Sequence, residues 1–343
     1  MSLLSLRPVA PGGWFHRLPA VFGQPVFSGF VLGLLAALIW GGYLAMARAG
    51  VAAGLAASDI ALIRYAVAGL VMAPWLLAHR PATLAGVGWR RGLILTALVG
   101  PPFILIGVGG YSHAPLAHGA VLQPAALTLA GMGLAAIVLK DRLTSARLVG
   151  GLVIILGLAV IAGPGLLSGG ALTPLGDAMF VVAGLMWAGF TVLTRRWGVA
   201  PLAATAAVSV LSLLIYGPLH LGFVGVARLL AQPWSVLIPQ IVVQGLLSGV
   251  VAVIAFSAAV QRLGAGRAAV FPALVPAVAI ILGIPIAAEW PTSLQLIGLG
   301  VVTTGLALAA GLVRFPRTLP PIDAAPKEQA RRRAARLSQT GVD

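Results

Sequence analysis

The sequence has no cysteine, and only 7 of its 343 residues are aspartate or glutamate. Without cysteine, the chain can form neither disulfides nor thiolate metal sites. The histidines and acidic residues are scattered along the chain, and no group of them has the spacing of metal ligands. We therefore expect a protein without a bound metal or other cofactor.

Charged residues of either sign are also rare, at 8% of the chain against 60% hydrophobic residues. With a mean hydropathy of +1.05, this composition excludes a soluble globular protein. A net charge of +15 is compatible with binding to nucleic acid. The distribution of the basic residues along the chain indicates instead that they set the orientation of the protein in the membrane. We expect an all-α integral membrane protein whose partners are the lipid bilayer and a small molecule, with no nucleic acid. The sequence is also compatible with a homodimer.

Ten apolar segments, most of them about 18 to 24 residues long, follow an N-terminal arm of residues 1–26. Helices of this length can cross the ~30 Å hydrocarbon core of a bilayer. The arm lacks the apolar core and cleavage site of a signal peptide, so we expect it to stay in the cytoplasm. The predicted spans are Phe27–Ala47, Ile60–Ala78, Leu93–Gly110, Leu116–Leu139, Leu148–Ala162, Leu175–Leu193, Leu202–Leu219, Val236–Ala258, Ala268–Ala287 and Leu294–Val313.

Basic residues are distributed very unevenly between the two sides of this predicted bundle. With Arg64 set aside inside a span, 19 Lys and Arg residues fall on the side of both termini, and 2 fall on the other. Because cytoplasmic loops retain Lys and Arg, both termini are predicted to be cytoplasmic. We expect the bacterial inner membrane, and a basic cytoplasmic tail, residues 314–343, that is predicted to be disordered.

The chain also contains an internal repeat with a step of 147 or 148 residues. Matched pairs are Trp40 and Trp187, Pro124 and Pro272, Asp141 and Glu289, Thr144 and Thr292, Gly150 and Gly298, and Gly157 and Gly305. The two predicted domains, 27–168 and 169–313, each hold five spans, and an odd number of spans gives the halves opposite orientations. Inverted repeats of this kind are typical of alternating-access transporters.

The repeated unit is a helix, a turn that contains an acid, and a second helix. Asp141 and Glu289 mark the point where an apolar helix leaves the bilayer, so we interpret both acids as structural residues of the turns. Thr292, with Gln295 three residues later, matches a capping box at the start of the last span. The repeated glycines lie seven residues apart on one helix face, which predicts close contact between helices.

Short motifs recur in equivalent parts of the two halves. The first half has His118–Pro124 followed by Lys140–Thr144, and the second has Gly264–Pro272 followed by Glu289. Together with the start of the second half at Gly176, these motifs resemble the EamA-type transporters of the drug/metabolite transporter superfamily. The resemblance covers residues 27 to 313. It implies ten helices, a central cavity between the repeats and movement of a small metabolite, commonly export.

Carriers with inverted repeats bind their substrate near the midplane, where paired helices are broken by proline or glycine. The predicted hinges are therefore Pro124 in the fourth span, and Pro272 and Pro276 in the ninth. Gly100-Pro101-Pro102 predicts a further break in the third span. Polar side chains in apolar spans and aromatic residues are the candidate cavity residues, although interface positions are the alternative for each. The predicted substrate-binding residues are Trp40, Tyr43, Arg64, Tyr111, His118, Gln123, Trp187, Phe190 and Gln244.

Two other classes of membrane protein fit part of the pattern. A channel-like permease is expected to form polar rings in an oligomer. The inverted repeat favours instead a carrier whose two halves rock against each other. An intramembrane enzyme needs a catalytic constellation at membrane depth, whereas Ser112 beside His113 is only a weak nucleophile signal in a loop. We predict a transporter, not an enzyme, that moves an amino acid or related metabolite outward by alternating access.

Overall fold

The fold consists of helices packed around a shared apolar core. The computed structural model describes residues 25–141, 143–168 and 172–312, and these residues contain no β-strand. The predicted C-terminal tail lies outside the described residues, as does the predicted N-terminal arm except for its last two positions.

Helices dominate because lipid offers no hydrogen-bond partner for the backbone, so each apolar segment must satisfy its own amides and carbonyls. The first half forms α1 (Pro25–Ala52), α2 (Ala57–Ala78), α3 (Trp89–Val99), α4 (Pro101–Gly109), α5 (Leu116–Val138) and α6 (Ser145–Ser168). The second half forms α7 (Thr173–Trp197), α8 (Pro201–Phe223), α9 (Ala227–Leu230), α10 (Trp234–Gln240), α11 (Ala252–Leu263), α12 (Ala265–Ala268), α13 (Val270–Ala287) and α14 (Ser293–Ala309). A π-helix, Ile241–Val251, joins α10 to α11.

Within the described residues, eight helical segments are long and apolar enough to cross a membrane. One of them runs through α3 and α4, and another runs from α10 through the π-helix to the end of α11. Two further predicted spans correspond to shorter apolar stretches, Ser145–Ile161 and Ser293–Ala309. Leu70 and Leu152 are 65% and 63% exposed on helix surfaces, as expected for faces that meet lipid. The structure is that of a multi-pass membrane protein.

The most extensive helix contacts join one half of the repeat to the other. Helix α5 packs along α7, and α1 packs along α13. These are the same contact made twice, because α1 is equivalent to α7 and α5 to α13. Equivalent helices also pair directly, α6 with α14 and α2 with α8. The two halves are therefore interlocked.

Glycines allow α6 and α14 to pack backbone against backbone. A β-carbon added at Gly150 would lie 2.8 Å from the Gly305 carbonyl oxygen, and one at Gly157 would lie 3.1 Å from that of Gly298. Real β-carbons essentially never approach backbone atoms as closely as the first of these. The predicted contact between the glycine faces is confirmed.

The predicted capping box at the start of α14 is also confirmed. Thr292 Oγ1 accepts a hydrogen bond from the Gln295 amide at 3.2 Å, and Gln295 Oε1 accepts one from the Thr292 amide at 2.9 Å. Thr144 has the equivalent place before α6, where its Oγ1 accepts from the Arg147 amide at 3.4 Å. These bonds satisfy amides that have no partner within the helix.

The backbone interruptions coincide only in part with the predicted hinges. Helix α5 continues through Pro124, and α13 continues through Pro276. Pro272 lies in the first turn of α13, close to the interruption at Ala269 that separates α12 from α13. Gly100 separates α3 from α4 in the third span, as its sequence predicts, and the eighth span contains the π-helix. The third and eighth spans are equivalent, so the irregular backbone is still paired between the halves.

Candidate functional site

A cavity of about 520 Å³ lies between the two halves of the repeat. Pockets of roughly 300–1,000 Å³ accommodate small organic molecules. Helices of both halves form its wall. Of the residues predicted to bind substrate or act as hinges, those that line the cavity are Trp40, Tyr43, Arg64, Gln123, Pro124, Trp187 and Pro272.

The sequence analysis did not single out several other lining residues. They are mainly apolar or small, and they include Leu44, Phe103, Leu127, Met132, Thr191, Phe256 and Val275. Because a lipid-facing wall and a cavity-facing wall can have the same apolar composition, the sequence alone offers little to distinguish them.

Two aromatic pairs form matching walls of the cavity. Trp40 on α1 packs against Phe256 on α11, and the ring centroids lie 5.2 Å apart. Trp187 on α7 packs against Phe103 on α4 at the same distance. Both pairs have the tilted geometry that aromatic rings prefer. Since Trp40 and Trp187 are equivalent in the repeat, an apolar ligand would meet aromatic surfaces contributed by both halves.

Arg64 places a positive charge in the cavity wall. Its Nη1 donates a hydrogen bond to Ser248 Oγ at 2.9 Å and a longer one to the Gln244 carbonyl at 3.5 Å. The guanidinium carbon lies 5.0 Å from the centroid of the Tyr43 ring, within the range of a cation–π interaction. Among the described residues, Arg64 has no carboxylate within 4.0 Å.

The π-helix supports the wall beside Arg64. Gln244 is fully buried, and its Nε2 donates to the Tyr43 carbonyl at 3.3 Å. Gln240 Nε2 donates to the Met46 carbonyl at 2.7 Å. The Gln244 bond ties the π-helix to α1, and the Gln240 bond ties the end of α10 to α1. π-helical turns frequently occur at functional sites. Gln244 therefore positions the cavity wall from behind.

An ion pair lies at one end of the cavity. Arg195 Nη2 lies 3.1 Å from Asp141 Oδ2, and the Arg195 side chain is 56% exposed. Both residues and Arg147 belong to the cavity lining. The cavity therefore reaches the surface of the protein at the end where α5 and α7 finish.

A second ion pair lies beyond the other end of α5. One carboxylate oxygen of Glu289 pairs with Arg48 Nε, and the other accepts a hydrogen bond from the Leu116 amide at 2.8 Å. Arg48 Nη1 also donates to the Tyr111 carbonyl at 2.8 Å. These four residues are absent from the described cavity lining. They join α1, the start of α5 and the turn after α13 where the cavity has ended.

Two further acids are paired outside the cavity. His118 Nδ1 lies 2.8 Å from Asp177 Oδ1, which joins α5 to α7. Asp59 is 1% exposed and accepts hydrogen bonds from Arg228 at 2.9 and 3.1 Å. These hydrogen bonds and the charge of Asp59 raise the pKa of the Arg228 guanidinium. Each acidic residue of the described chain thus has a basic partner.

The remaining predicted site residues lie outside the cavity lining, as do one predicted hinge and the supporting Gln244. Tyr111 is buried against Phe180, and their ring centroids lie 4.8 Å apart. Phe190 packs beside Trp187 at 6.0 Å. His118 is paired with Asp177, and Pro276 is buried within α13. The structure does not bring these side chains into the cavity wall.

Interlocked halves that repeat the same helices around a shared cavity define a tandem-repeat membrane protein. The sequence matches the EamA-like transporter family over residues 27–163 and again over 174–311. The chain therefore belongs to this family, a branch of the drug/metabolite transporter superfamily, as its motifs indicated. Membership indicates a membrane transporter of small molecules.

Comparison with solved structures supports the fold. Seven chains match significantly, and one crystal structure among them has 18% sequence identity and a TM-score of 0.58. The alignment covers 85% of this chain and 99% of the other. At that identity the likeness shows the fold alone. Among curated proteins, no sequence matches significantly.

Proposed function

We propose that the protein exports a small organic metabolite, such as an amino acid or a related compound, by alternating access. In this proposal the chain crosses the bacterial inner membrane ten times as two inverted repeats of five helices, with both termini in the cytoplasm. The observation that carries the proposal is the cavity itself, which reaches one end of the bundle and stops before an ion pair at the other.

Helix α5 indicates how far apart the two ends are. Its first residue, Leu116, binds Glu289, and Asp141 follows its last turn. A helix of 23 residues is about 34 Å long at 1.5 Å per residue, close to the thickness of the hydrocarbon core. The distance between the two ion pairs is therefore consistent with positions at opposite faces of a membrane.

The distribution of charge supports an orientation. The end where the cavity opens carries most of the basic loop residues, including Lys140 and Arg196. The other end carries Arg48 and Arg228, and each of these is bound to an acid. Because basic residues are retained in the cytoplasm, the open end is assigned to the cytoplasmic side. A metabolite would then enter the cavity from inside the cell.

The inverted repeat supports a second conformation in the proposed transport cycle, in which the cavity opens at the other end. In inverted-repeat carriers, the two halves exchange conformations, so that one end closes as the other opens. Here the exchange would close the Asp141 end and open the Glu289 end. A channel-like permease would instead offer a continuous path, and an intramembrane enzyme would produce no flux.

Two glycines of α5 provide a matched test. A β-carbon added at Gly131 or at Gly133 would meet no atom within 4 Å, but Gly131 lines the cavity and Gly133 is outside the described lining. Phenylalanine at position 131 should fill the cavity, and phenylalanine at position 133 should leave it open. Mass spectrometry of the medium should show metabolites released by cells producing the wild type and Gly133→Phe, and not by those producing Gly131→Phe.

A released metabolite should then be loaded into proteoliposomes containing the purified protein. A carrier gives saturable flux and counterflow, in which an outward gradient of one substrate drives uptake of labelled substrate. Flux that stays proportional to substrate concentration, without counterflow, would show that the protein is a channel and not a carrier. Equal release of metabolites from Gly131→Phe and wild-type cells would show that the substrate does not pass through this cavity.

A further inference from the structure

Arg64 differs from the other charged groups that anchor this bundle. Asp59, Asp141, Asp177 and Glu289 each have a basic partner among the described residues, whereas Arg64 has no acidic one. Its Nη1 uses Ser248 Oγ and the Gln244 carbonyl, and the Tyr65 side chain is a further hydrogen-bond partner, so three partners are found for the five N–H donors of the guanidinium. The cavity wall thus presents a planar cation with unused donors.

An unpaired charge within a membrane-spanning helix is unfavourable unless it faces water or a partner of opposite charge. Tyr43 and Tyr65 lie beside the guanidinium and contribute ring faces and a neutral hydroxyl group, but no negative charge. A carboxylate is the ligand that the free edge of a guanidinium suits best, because the two groups can form parallel charge-assisted hydrogen bonds. The Ser248 hydroxyl, already beside Nη1, can turn toward the same ligand.

The rest of the cavity selects for an apolar body. Trp40 with Phe256, and Trp187 with Phe103, provide aromatic surfaces. A substrate ammonium group would find no unpaired carboxylate, because the acid described in the cavity lining, Asp141, is already bound to Arg195. Helix α8, the equivalent of α2 in the second half, contains no Lys or Arg, so Arg64 has no counterpart in the other repeat.

We propose that the substrates are small organic carboxylates of net negative charge, with an aromatic or branched apolar body. The carboxylate binds Arg64 beside Ser248, and the body lies between the two aromatic pairs. This inference rests on the proposed transport function and narrows its substrate class from metabolites in general to monoanions.

The test uses compounds that share one body and differ in charge. Phenylpropionate is the anion, phenylpropionamide the neutral analogue, phenylpropylamine the cation, and phenylalanine the zwitterion. Each is added to the purified full-length protein, and the thermal unfolding temperature is measured, because a ligand that binds the folded state raises it. Phenyl phosphate serves as a separate arm that distinguishes a phosphate site from a carboxylate site.

Phenylpropionate should raise the unfolding temperature at concentrations about tenfold below those needed by the amide, and the amine should have no effect. Arg64→Gln should remove this preference, and Arg64→Lys, which keeps the charge and loses the planar fork, should retain part of it. Stabilisation by the amine, or equal stabilisation by acid and amide, would overturn the proposal. If phenyl phosphate stabilises the protein more than phenylpropionate does, the site binds a phosphate and not a carboxylate. If phenylalanine stabilises it more, the substrate is a zwitterion and not an anion.

Unfolding without ligand shows whether Arg64 has only a structural role. Arg64→Gln removes a cation that lacks an acidic partner, so the unfolding temperature should stay the same or rise. Arg48→Gln removes the partner of Glu289 and should lower it. A marked loss of stability in Arg64→Gln would make Arg64 structural and overturn its role as a ligand. Saturable counterflow of the amine but not of the acid would preserve the transport function while rejecting the anionic substrate.

Discussion

Arg48 and Arg195 hold equivalent acids at opposite ends of the helical bundle. The two arginines are 147 residues apart, and their partners, Glu289 and Asp141, are 148 apart. In each pair the arginine belongs to one half of the repeat and the acid to the other. The acids do lie in turns, as the sequence predicts, but each also ties its own half to the opposite one.

The first prediction concerns the pair at the closed end. Glu289→Gln keeps an oxygen that can accept the Leu116 hydrogen bond but removes the charge that holds Arg48. We expect this end to open more often, by about tenfold for a loss of about 1.4 kcal/mol. Cysteine placed at Thr128, in the cavity wall, should then react with an impermeant maleimide added outside the cell.

The natural absence of cysteine removes background labelling from this experiment. In the wild-type background, cysteine at position 128 should react mainly from the cytoplasmic side. Asp141→Asn, at the other end, is the matched control and should leave external labelling low. External labelling that is unchanged by Glu289→Gln would show that the ion pair does not hold this end closed.

The second prediction is topological. Reporter fusions at Pro81 and Arg195 should give cytoplasmic signals, and fusions at Ser168 and Glu289 should give external ones. The reason is that ten spans concentrate the basic loops on one side. A cytoplasmic signal at Ser168 would reject both the ten-span arrangement and the inverted repeat.

The third prediction concerns the seam between α6 and α14. A β-carbon at Gly305 would lie 2.7 Å from the Ile154 amide nitrogen, whereas one at Gly300 meets nothing within 4 Å. Gly305→Ala should destabilise the protein by about 1–3 kcal/mol, because the helix backbones must separate. Gly300→Ala, on the same helix, should be neutral or add up to about 1 kcal/mol.

Thermal unfolding in detergent compares the two glycine variants directly. Gly305→Ala should unfold several degrees below the wild type, and Gly300→Ala should not. Equal unfolding temperatures for the two variants would mean that the seam does not limit stability.

The fourth prediction concerns energy coupling. The acids of the described chain are all paired, and the histidine nearest the proposed path, His118, is held by Asp177. We therefore expect counterflow in proteoliposomes to proceed at the same rate with and without an imposed pH gradient. His118→Ala should lower the unfolding temperature, because it leaves Asp177 without its partner.

His113→Ala is the control for this experiment, since no hydrogen bond of the His113 side chain is found in the described structure. It should change neither stability nor flux. Wild-type flux that needs the pH gradient, and His118→Ala flux that no longer needs it, would make His118 the coupling residue.

The pattern of apolar segments, the repeat step, the capping box at Thr292 and the glycine seam could all be predicted from the sequence. Each of them depends on local or periodic requirements. A segment in lipid must be long, apolar and internally hydrogen-bonded, and a helix must cap its first amides. Equivalent residues in two copies of one unit, such as Gly150 and Gly298, then occupy equivalent places.

Only the tertiary structure decided which side chains meet in the cavity. Phe103 and Phe256 line it, whereas Tyr111 and Phe190 do not, although all four are aromatic residues in apolar helices. The physical reason is that lipid, protein core and an apolar cavity wall all accept the same side chains, so composition does not record which one a residue faces. Charge partners are also invisible in sequence, because Glu289 and Arg48 are 241 residues apart and meet only when the halves interlock.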